Sequence, residues 1–231
     1  PLDLPMFADA RHAGVPIIGE IELASRWLSG RIVAITGTKG KSTTTTLTGK
    51  MFEEGGRRAL VGGNIGTPLS AQVAASTPET YHIVEVSSFQ LETTETFHPW
   101  IGAILNVTPD HLDRYPSMEA YAAAKLRMLE NQTAKDYAVL NADDPGLARA
   151  ANGFAGSRVL FSRTRAIERG VFVDGDAIIS TVRDGYEEVC RVSALQVRGS
   201  HNVENAMAVA AVATLVGCPI ATIGQGLRAF R

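Results

Sequence analysis

A short apolar run, Arg31 to Thr36, leads directly into a loop that contains Gly37, Gly40 and the sequence Gly-Lys-Ser, and a helical pattern follows at once. Strand, glycine-rich loop and helix in this order are typical of a phosphate-binding unit. The glycines let backbone N–H groups turn toward phosphate oxygens, and the helix start carries partial positive charge. A Walker A motif has a glycine five residues before Gly40, where this chain has Ile35, so the loop is a shortened variant. The alternative is a glycine-rich turn with an exposed lysine.

The side chains of this loop have distinct expected roles. Lys41 would neutralise the terminal phosphates of a nucleotide, and the Ser42 hydroxyl would ligate Mg²⁺. The loop residues expected to bind ATP are Gly37, Thr38, Lys39, Gly40, Lys41, Ser42 and Thr43.

Apolar, β-rich runs alternate with helical patterns along most of the chain. Buried parallel strands are expected at Arg31 to Thr36, Tyr81 to Val86, Trp100 to Val107 and Tyr137 to Asn141. Helices are expected at Ser42 to Glu54, Ser117 to Asn131 and Asn202 to Val216. This alternation predicts an α/β fold with a P-loop and a mostly parallel, doubly wound sheet. Between about Val159 and Val197, short alternating runs and turn signals predict a small antiparallel β appendage.

The composition restricts compartment and partners. With 231 residues and 45% hydrophobic content, the chain can bury a full core. The 22 basic and 24 acidic residues are well mixed and give a net charge of −2, so we expect neither nucleic acid nor a membrane as partner. No apolar run approaches the roughly 20 residues that span a bilayer. Cys190 and Cys218 lack metal or disulfide spacing, which predicts structural thiols in a cytoplasmic protein.

Charged side chains follow the next two predicted strands. Glu85 lies at the carboxyl end of one, His111 follows the other, and Lys125 lies on the helix after it. Because ligands of open α/β sheets bind outside the carboxyl ends of the strands, we expect these three residues to meet in one crevice. Simpler explanations are a solvated strand end for Glu85, a packing or capping histidine for His111, and a solvated helix charge for Lys125.

Seven segments, distributed over nearly the whole chain, match the ordered motifs of a known family. They are Gly37 to Thr43, Gly62 to Gly66, Glu85 to Glu92, Asn106 to Tyr115, Ala123 to Arg127, Asn141 to Asp144 and Gly199 to Ala206. On these segments the chain resembles the Mur ligase family of ATP-dependent amide-bond ligases. The runs Ser-Ser-Phe-Gln-Leu-Glu and Asp-His-Leu-Asp-Arg-Tyr favour the member that adds D-glutamate over its siblings and over folylpolyglutamate synthetase, a relative with the same ATPase core.

The resemblance implies ATP and two Mg²⁺ ions as cofactors. It implies that Ser42 and Glu85 hold the first Mg²⁺ and that His111 holds the second. Lys125 matches the family's carbamylated lysine, formed with CO₂; a carbamate supplies negative oxygens where an ammonium would repel the metal. The catalytic residues are then Lys41, Glu85, His111 and Lys125.

The resemblance also implies the substrates UDP-N-acetylmuramoyl-L-alanine and D-glutamate, joined through an acyl-phosphate intermediate in peptidoglycan precursor synthesis. Asn202 and Asn205 match positions that contact adenine, while Asn64 and Ser87 match positions that face the nucleotide sugar. Helix capping is the alternative for Asn202 and Asn205, and a Gly-Gly-Asn turn is the alternative for Asn64. We expect Asp143-Asp144 to form a turn and a helix cap outside the site.

The family's domain organisation implies that this chain is a piece of a longer protein. Residues 1–30 would be the remnant of an N-terminal nucleotide-sugar-binding domain with its linker, and residues 31–231 the central ATP-binding domain. The resemblance implies that the D-glutamate site lies in a C-terminal domain outside this sequence, so we expect that the chain alone does not ligate. We also expect it to be a monomer. The alternatives are another Mur ligase or a folylpolyglutamate synthetase-like ligase, and a nucleotide-dependent switch ATPase, which leaves Lys125 without a role.

Overall fold

The structure, a computed structural model, describes residues 4–150 and 153–230, and strands alternate with helices over most of this part. The strands are β1 (Arg31–Thr36), β2 (Arg58–Gly63), β3 (Thr80–Glu85), β4 (Ile101–Ile104), β5 (Tyr137–Asn141), β6 (Ser157–Ser162), β7 (Gly170–Asp174), β8 (Ala177–Ser180) and β9 (Glu187–Arg191). The helices are α1 (Ala8–His12), α2 (Glu20–Ser25), α3 (Lys41–Glu54), α4 (Ser88–Leu91), α5 (Met118–Leu126), α6 (Pro145–Ala150), α7 (Ser200–Leu215) and α8 (Ile220–Ala229). Short 3₁₀ turns include Leu69–Ala75 and Arg127–Leu129.

All of these strands belong to one sheet with the order β2-β3-β1-β4-β5-β6-β7-β8-β9. Pairing is parallel from β2 to β7 and antiparallel from β7 to β9. The α/β fold with a mostly parallel sheet and a small antiparallel appendage is therefore confirmed. The appendage continues the main sheet. β6, which lies at the start of the range expected to be antiparallel, pairs in parallel with both of its neighbours. The sequence could not show this, because a short apolar run does not reveal the direction of its partner strand.

Among the elements that have no counterpart in the sequence-based prediction are β2 and α2. β2 lies at the edge of the sheet, and its largely incomplete burial and two terminal glycines weaken the strand pattern. α2 is a helix of six residues, too short to show a clear apolar period. The predicted helix from Ser117 to Asn131 is divided between α5 and the 3₁₀ turn at Arg127–Leu129.

The core has two layers, one on each face of the sheet. Along β1, Val33 and Ile35 belong to the apolar cluster that includes residues of α3, α7 and α8, whereas Ile32 and Ala34 belong to the cluster that includes α2. This follows from the alternation of side chains along a strand. Every residue from Ala206 to Ala213 in α7 is at most 3% exposed, so the start of this helix rests on a fully buried segment.

The described residues also bear on membrane-spanning helices, on the two cysteines and on the expected domain boundary. In this part of the chain, no helix is long and apolar enough to cross a membrane. Cys190 and Cys218 are both buried as free thiols. α2 packs on the main sheet through Ile21 and Ala24, although it lies before the expected domain boundary at residue 31.

Candidate active site

The glycine-rich loop has the backbone geometry that phosphate binding requires. Gly40 adopts the left-handed conformation, with φ 85°, directly before α3, and its carbonyl accepts the Thr44 N–H at 2.9 Å. A residue with a β-carbon rarely adopts this conformation, so glycine is needed here. The first N–H groups of α3 lack acceptors within their own helix and form an anion-binding end beside Lys41 and Ser42. Ser42 is exposed there.

Asn106, which follows β4, holds the glycine-rich loop in shape. Its Oδ1 accepts the backbone N–H of Thr38 at 3.0 Å and of Lys39 at 2.9 Å, and its Nδ2 donates to the Lys39 carbonyl at 3.1 Å. The β1–β4 pairing brings it there, since the Leu105 N–H donates to the Thr36 carbonyl. Asn106 begins one of the segments that match the family, but its sequence context predicts no particular role. Its position at the end of a neighbouring strand was the available signal.

Two lysines converge on one backbone oxygen of the loop. Lys41 Nζ donates to the carbonyls of Gly37 and Thr38 at 3.0 and 3.1 Å, and Lys125 Nζ donates to the same Gly37 carbonyl at 3.1 Å. Lys125 is 1% exposed. Burial, followed by repulsion from Lys41 and opposed by attraction to Asp110, lowers the pKa of Lys125 to about 7. Lys125 is therefore not a solvated helix charge.

Glu85 presents a buried carboxylate beside the loop. It pairs with Ile35 of β1 in the parallel register and is 2% exposed. Its Oε1 accepts Asn64 Nδ2 at 2.9 Å, whereas Oε2 is buried without a hydrogen-bond partner. A buried carboxylate oxygen without a donor is costly, and a bound cation would compensate it. The amide of Asn64, expected to face a nucleotide sugar, thus orients Glu85.

His111 lies on the loop after β4, at the outer side of this crevice. It is a non-glycine residue with positive φ, 51°, and its side chain is 44% exposed. Its ring contacts those of Phe89 and Tyr121, with centroid separations of 4.9 and 6.0 Å. Nε2 is 3.8 Å from Asp110 Oδ2. Half-exposed and next to a carboxylate, the imidazole is accessible to a metal ion from solvent.

Tyr121 links the parts of the site. Its hydroxyl is 3.2 Å from Thr38 Oγ1, and Lys125 Nζ lies 4.5 Å from the centre of its ring. Tyr121 and Lys125 are four residues apart on α5, so they project from the same face of that helix. Only Lys125 could be predicted from the sequence as a candidate site residue. Tyr121 could not, because its contact with Thr38 joins distant parts of the chain.

Asn205 of α7 lies against the glycine-rich loop from the other side. A β-carbon placed on Gly40 would come within 2.2 Å of Asn205 Oδ1, so glycine is required for this close approach as well. Asn205 Nδ2 is 3.4 Å from Asn202 Oδ1, and Asn202 Nδ2 donates to the Arg198 carbonyl at 2.8 Å. The two asparagines thus form a connected pair between the loop and the segment before α7.

The remaining candidates have local structural contacts. Ser87 caps α4: its Oγ accepts the Gln90 N–H at 3.2 Å and donates to Gln90 Oε1 at 3.1 Å. Asp144 Oδ1 accepts the Gly146 N–H at the start of α6, as expected for a helix cap. Asp143 accepts hydrogen bonds from the Ser162 hydroxyl at the end of β6 and from the Arg163 N–H that follows.

The donor set suits magnesium better than a tightly chelated transition metal. In residues 4–150 and 153–230, no group of three or more His, Cys, Asp and Glu side chains is arranged to hold a metal ion. Mg²⁺ typically binds through one or two carboxylates together with water and substrate phosphates. Glu85, with its unpartnered oxygen, and the exposed Ser42 at the start of α3 fit such a site.

Comparison with known proteins identifies the family to which this arrangement belongs. A family model described as the Mur ligase middle domain matches residues 35–213. The chain belongs to the Mur ligase family. The matched range contains the glycine-rich loop, Glu85, His111, Lys125 and both asparagines at the start of α7.

Curated relatives within the Mur ligase family match the chain from end to end. A UDP-N-acetylmuramoylalanine–D-glutamate ligase from Pelotomaculum thermopropionicum is 46% identical over 231 residues, which cover 100% of this chain and 51% of the relative. A protein of the same name from Syntrophotalea carbinolica is 49% identical over 219 residues, 95% of this chain and 48% of the relative. The chain thus spans about half the length of the curated relatives it matches.

Solved structures of other Mur ligases share the fold. UDP-N-acetylmuramate:L-alanyl-gamma-D-glutamyl-meso-diaminopimelate ligase from Neisseria meningitides superposes with a TM-score of 0.70 at 21% identity, covering 100% of this chain and 76% of that chain. A UDP-N-acetylmuramoyl-L-alanyl-D-glutamate–2,6-diaminopimelate ligase has a TM-score of 0.68 at 22% identity, with 96% and 48% covered. These similarities establish the arrangement of strands and helices.

Proposed function

We propose that this chain is the ATP-binding core of a ligase that joins D-glutamate to UDP-N-acetylmuramoyl-L-alanine in peptidoglycan precursor synthesis. The observation that carries the proposal is Lys125, a buried amine that donates to the glycine-rich loop at the Gly37 carbonyl. A nucleotide switch needs no second lysine at this position. An acyl-transfer ligase must hold a substrate carboxylate against the terminal phosphate of ATP. A further ionisable group beside the glycine-rich loop, such as Lys125, suits that task.

The proposed reaction has two steps, and the chain's own groups favour the first. A carboxylate oxygen of the sugar substrate forms a bond to the γ-phosphorus of ATP, and the bond to ADP breaks. The D-glutamate nitrogen then bonds to the acyl carbon, releasing phosphate and a proton. The loop N–H groups and Lys41 stabilise charge on the transferring phosphoryl group. When bound, Mg²⁺ withdraws further charge from the phosphate oxygens.

The metal ligands in this proposal are Ser42 and Glu85 for one Mg²⁺ and His111 for a second. The unpartnered Oε2 of Glu85 supports the first assignment, and the accessible imidazole of His111 supports the second. We also propose that Lys125 reacts with CO₂ to form a carbamate. Its burial favours the neutral amine that this reaction requires, and the carbamate removes one of the two cations next to the Gly37 carbonyl.

The remaining assignments concern the substrates. Asn202 and Asn205 would contact adenine, in keeping with the contact between Asn205 and Gly40. Asn64 and Ser87 would face the nucleotide sugar, Asn64 while also orienting Glu85. Because the chain spans about half the length of its relatives, we expect residues 31–231 to form the central domain of a longer enzyme. We also expect that enzyme to be cytoplasmic and monomeric. We expect the isolated chain to bind ATP without ligating.

Calorimetric titration with a non-hydrolysable ATP analogue and Mg²⁺ tests the proposal directly. We expect binding by the wild-type chain and its loss in Lys41→Ala. Lys50→Ala, which removes an exposed lysine of the same helix, serves as the matched control and should bind normally. In the longer protein, phosphate release should require both substrates. Nucleotide hydrolysis that is independent of both substrates would favour the switch ATPase.

A further inference from the structure

We propose that Glu92 is a positioning residue that holds His111 in place through side chains on two neighbouring loops. The group, called the Glu92 cluster below, consists of Phe89, Glu92, Arg114 and Tyr115. The consequence for Mg²⁺ rests on the proposed function of His111 as a metal ligand. The positioning itself is a property of the metal-free chain and can be tested separately.

His111 needs support from its surroundings. Its backbone has a positive φ, 51°, which non-glycine residues rarely adopt unless neighbouring groups determine it. Its side chain is 44% exposed, and the nearest ring is that of Phe89, with 4.9 Å between ring centroids. The orientation of the imidazole thus depends on the position of Phe89, together with that of Tyr121 on α5.

The charged members of the cluster hold the aromatic ones. Arg114 Nη2 donates to Glu92 Oε2, and the Tyr115 hydroxyl donates to Glu92 Oε1. The Arg114 guanidinium lies 4.4 Å from the centre of the Phe89 ring, and the Tyr115 ring stacks on Phe89 at 6.1 Å. Phe89, which is 37% exposed, therefore contacts two residues that are both anchored on one carboxylate.

This arrangement connects the two proposed metal-binding segments. Glu92 directly follows α4, which in turn follows Glu85 at the end of β3. Arg114 and Tyr115 lie three and four residues after His111, and their N–H groups both donate to the His111 carbonyl at 3.0 Å. Glu92 thus joins the segment after β3 to the segment after β4. It determines how His111 is placed relative to Glu85.

The variant Glu92→Gln tests this geometry with a small change of shape. The carboxylate offers an acceptor oxygen to each of its two donors, Arg114 and Tyr115. A glutamine has only one acceptor oxygen, and its NH₂ group would face the second donor. The pair with Arg114 therefore loses its charge, and the contact with Tyr115 persists only where the hydroxyl turns to accept from that NH₂ group. Tyr115→Phe removes the hydroxyl contact alone and provides a second variant if Glu92→Gln does not fold.

The first experiment measures the ring-proton chemical shifts of His111 in the metal-free chain by NMR. The signals of the five histidines are distinguished by comparison with His111→Gln. Since an aromatic ring shifts the resonances of nearby protons, Phe89 should move the His111 signals away from those of a free histidine. In both Glu92→Gln and Tyr115→Phe this displacement should decrease, while the part that the Tyr121 ring contributes should remain. Glu188→Gln, which breaks an exposed ion pair with Arg191, should leave it unchanged.

The second experiment follows the metal. Mn²⁺ replaces Mg²⁺ in the presence of a non-hydrolysable ATP analogue, and the paramagnetic broadening of the His111 signals is recorded. We expect Glu92→Gln to raise the Mn²⁺ concentration for half-maximal broadening by about tenfold, as is common when a residue that orients a metal ligand is changed. Affinity for the analogue itself at saturating Mg²⁺ should not change.

The two experiments separate the two ideas. Unchanged His111 chemical shifts in a folded Glu92→Gln variant would overturn the positioning role, whatever the metal does. Absence of Mn²⁺ broadening at His111 in the wild-type chain would instead remove His111 from the proposed metal site, while the chemical shifts would still decide the role of Glu92.

Discussion

Lys41 and Lys125 donate to the same oxygen, the Gly37 carbonyl, from distances of 3.0 and 3.1 Å. Two ammonium groups this close repel each other, and Lys125 is nearly inaccessible to water. The repulsion between the two ammonium groups decreases when an anion binds beside them or when one amine loses its charge. The glycine-rich loop is therefore prepared both for a polyphosphate and for chemical modification of Lys125.

The first prediction concerns carbamylation of Lys125. With ¹³C-bicarbonate, we expect a carbamate resonance in the ¹³C NMR spectrum of the chain. Only the neutral amine reacts, and the pKa of Lys125 is lowered to about 7, so the signal should be strong above about pH 7 and decline as the pH falls below it. An ordinary lysine, with a pKa near 10.4, stays largely protonated there.

Two substitutions identify the modified lysine. Lys125→Arg keeps a positive charge but forms no carbamate, so the resonance should vanish. Lys135→Arg changes an exposed lysine and should leave the resonance intact. A resonance that persists in Lys125→Arg would show that another amine is modified.

The second prediction is that Glu85→Gln stabilises the metal-free chain while weakening its use of Mg²⁺. The substitution removes a buried charge whose Oε2 has no partner and keeps an acceptor for Asn64. We expect a gain of about 1 kcal/mol in the free energy of unfolding, measured with urea, because functional sites often contain such destabilising groups. The affinity for an ATP analogue should no longer rise when Mg²⁺ is added.

Glu79→Gln is the matched control for Glu85→Gln, since Glu79 is exposed just before the opposite end of β3. It should change neither the unfolding free energy nor the Mg²⁺ dependence. An unchanged Mg²⁺ dependence in Glu85→Gln would contradict the metal role of Glu85.

Local patterns were sufficient to predict most of the fold. The run from β1 through the glycine-rich loop to α3 is contiguous in sequence, and each part has its own signal in apolar residues, glycines or helix periodicity. The parallel direction of β6 depends on partners elsewhere in the chain, and apolar periodicity does not record direction. The edge strand β2 was missed because it is only partly buried.

The residues of the candidate site also fall into two groups: those that local sequence patterns predict and those that only contacts between distant parts of the chain reveal. Glu85 and Lys125 could be predicted as candidates because one ends a strand and both lie in family motifs, and the structure brings Lys125 to the Gly37 carbonyl. Asn106 and Tyr121 act through contacts with the loop from 67 or more residues away. The position of Asn106 at a strand end predicts only that it lies near the crevice, so the folded chain is needed to reveal that its side chain shapes the loop.

The third prediction is that Gly40→Ala weakens nucleotide binding at least tenfold. Alanine at φ 85° is strained, and its β-carbon would come within 2.2 Å of Asn205 Oδ1. The left-handed conformation alone costs roughly 1–2 kcal/mol for a residue with a β-carbon. Displacement of Asn205 should in addition weaken binding of an ATP analogue at least tenfold, about 1.4 kcal/mol, in a calorimetric titration.

Gly56→Ala separates these two effects. Gly56 also has a positive φ, 73°, but open space surrounds its β-carbon position. It should lose a similar amount of stability and bind the analogue normally. Equal loss of binding in both variants would mean that backbone strain, and not the contact with Asn205, is responsible.

The fourth prediction concerns the pH dependence of stability through Glu22, on α2. Its fully buried carboxylate accepts the backbone N–H groups of Glu95, Thr96 and Phe97, and it pairs with Arg26 at 2.8 Å. Burial alone would raise the pKa of Glu22, but hydrogen bonds from the Thr96 hydroxyl, the Glu95 N–H and Arg26 outweigh it and lower the pKa to about 2.

Because the pKa of Glu22 is lower in the folded chain than in the unfolded chain, its contribution is fully present above about pH 4.5 and declines as the pH falls toward 2. That contribution should be on the order of 2–3 kcal/mol. In Glu22→Gln the group cannot titrate, so the difference in unfolding free energy between wild type and variant should shrink with falling pH in this window. A difference that stays constant from neutral pH to pH 2 would mean that the carboxylate charge does not hold α2 on the sheet.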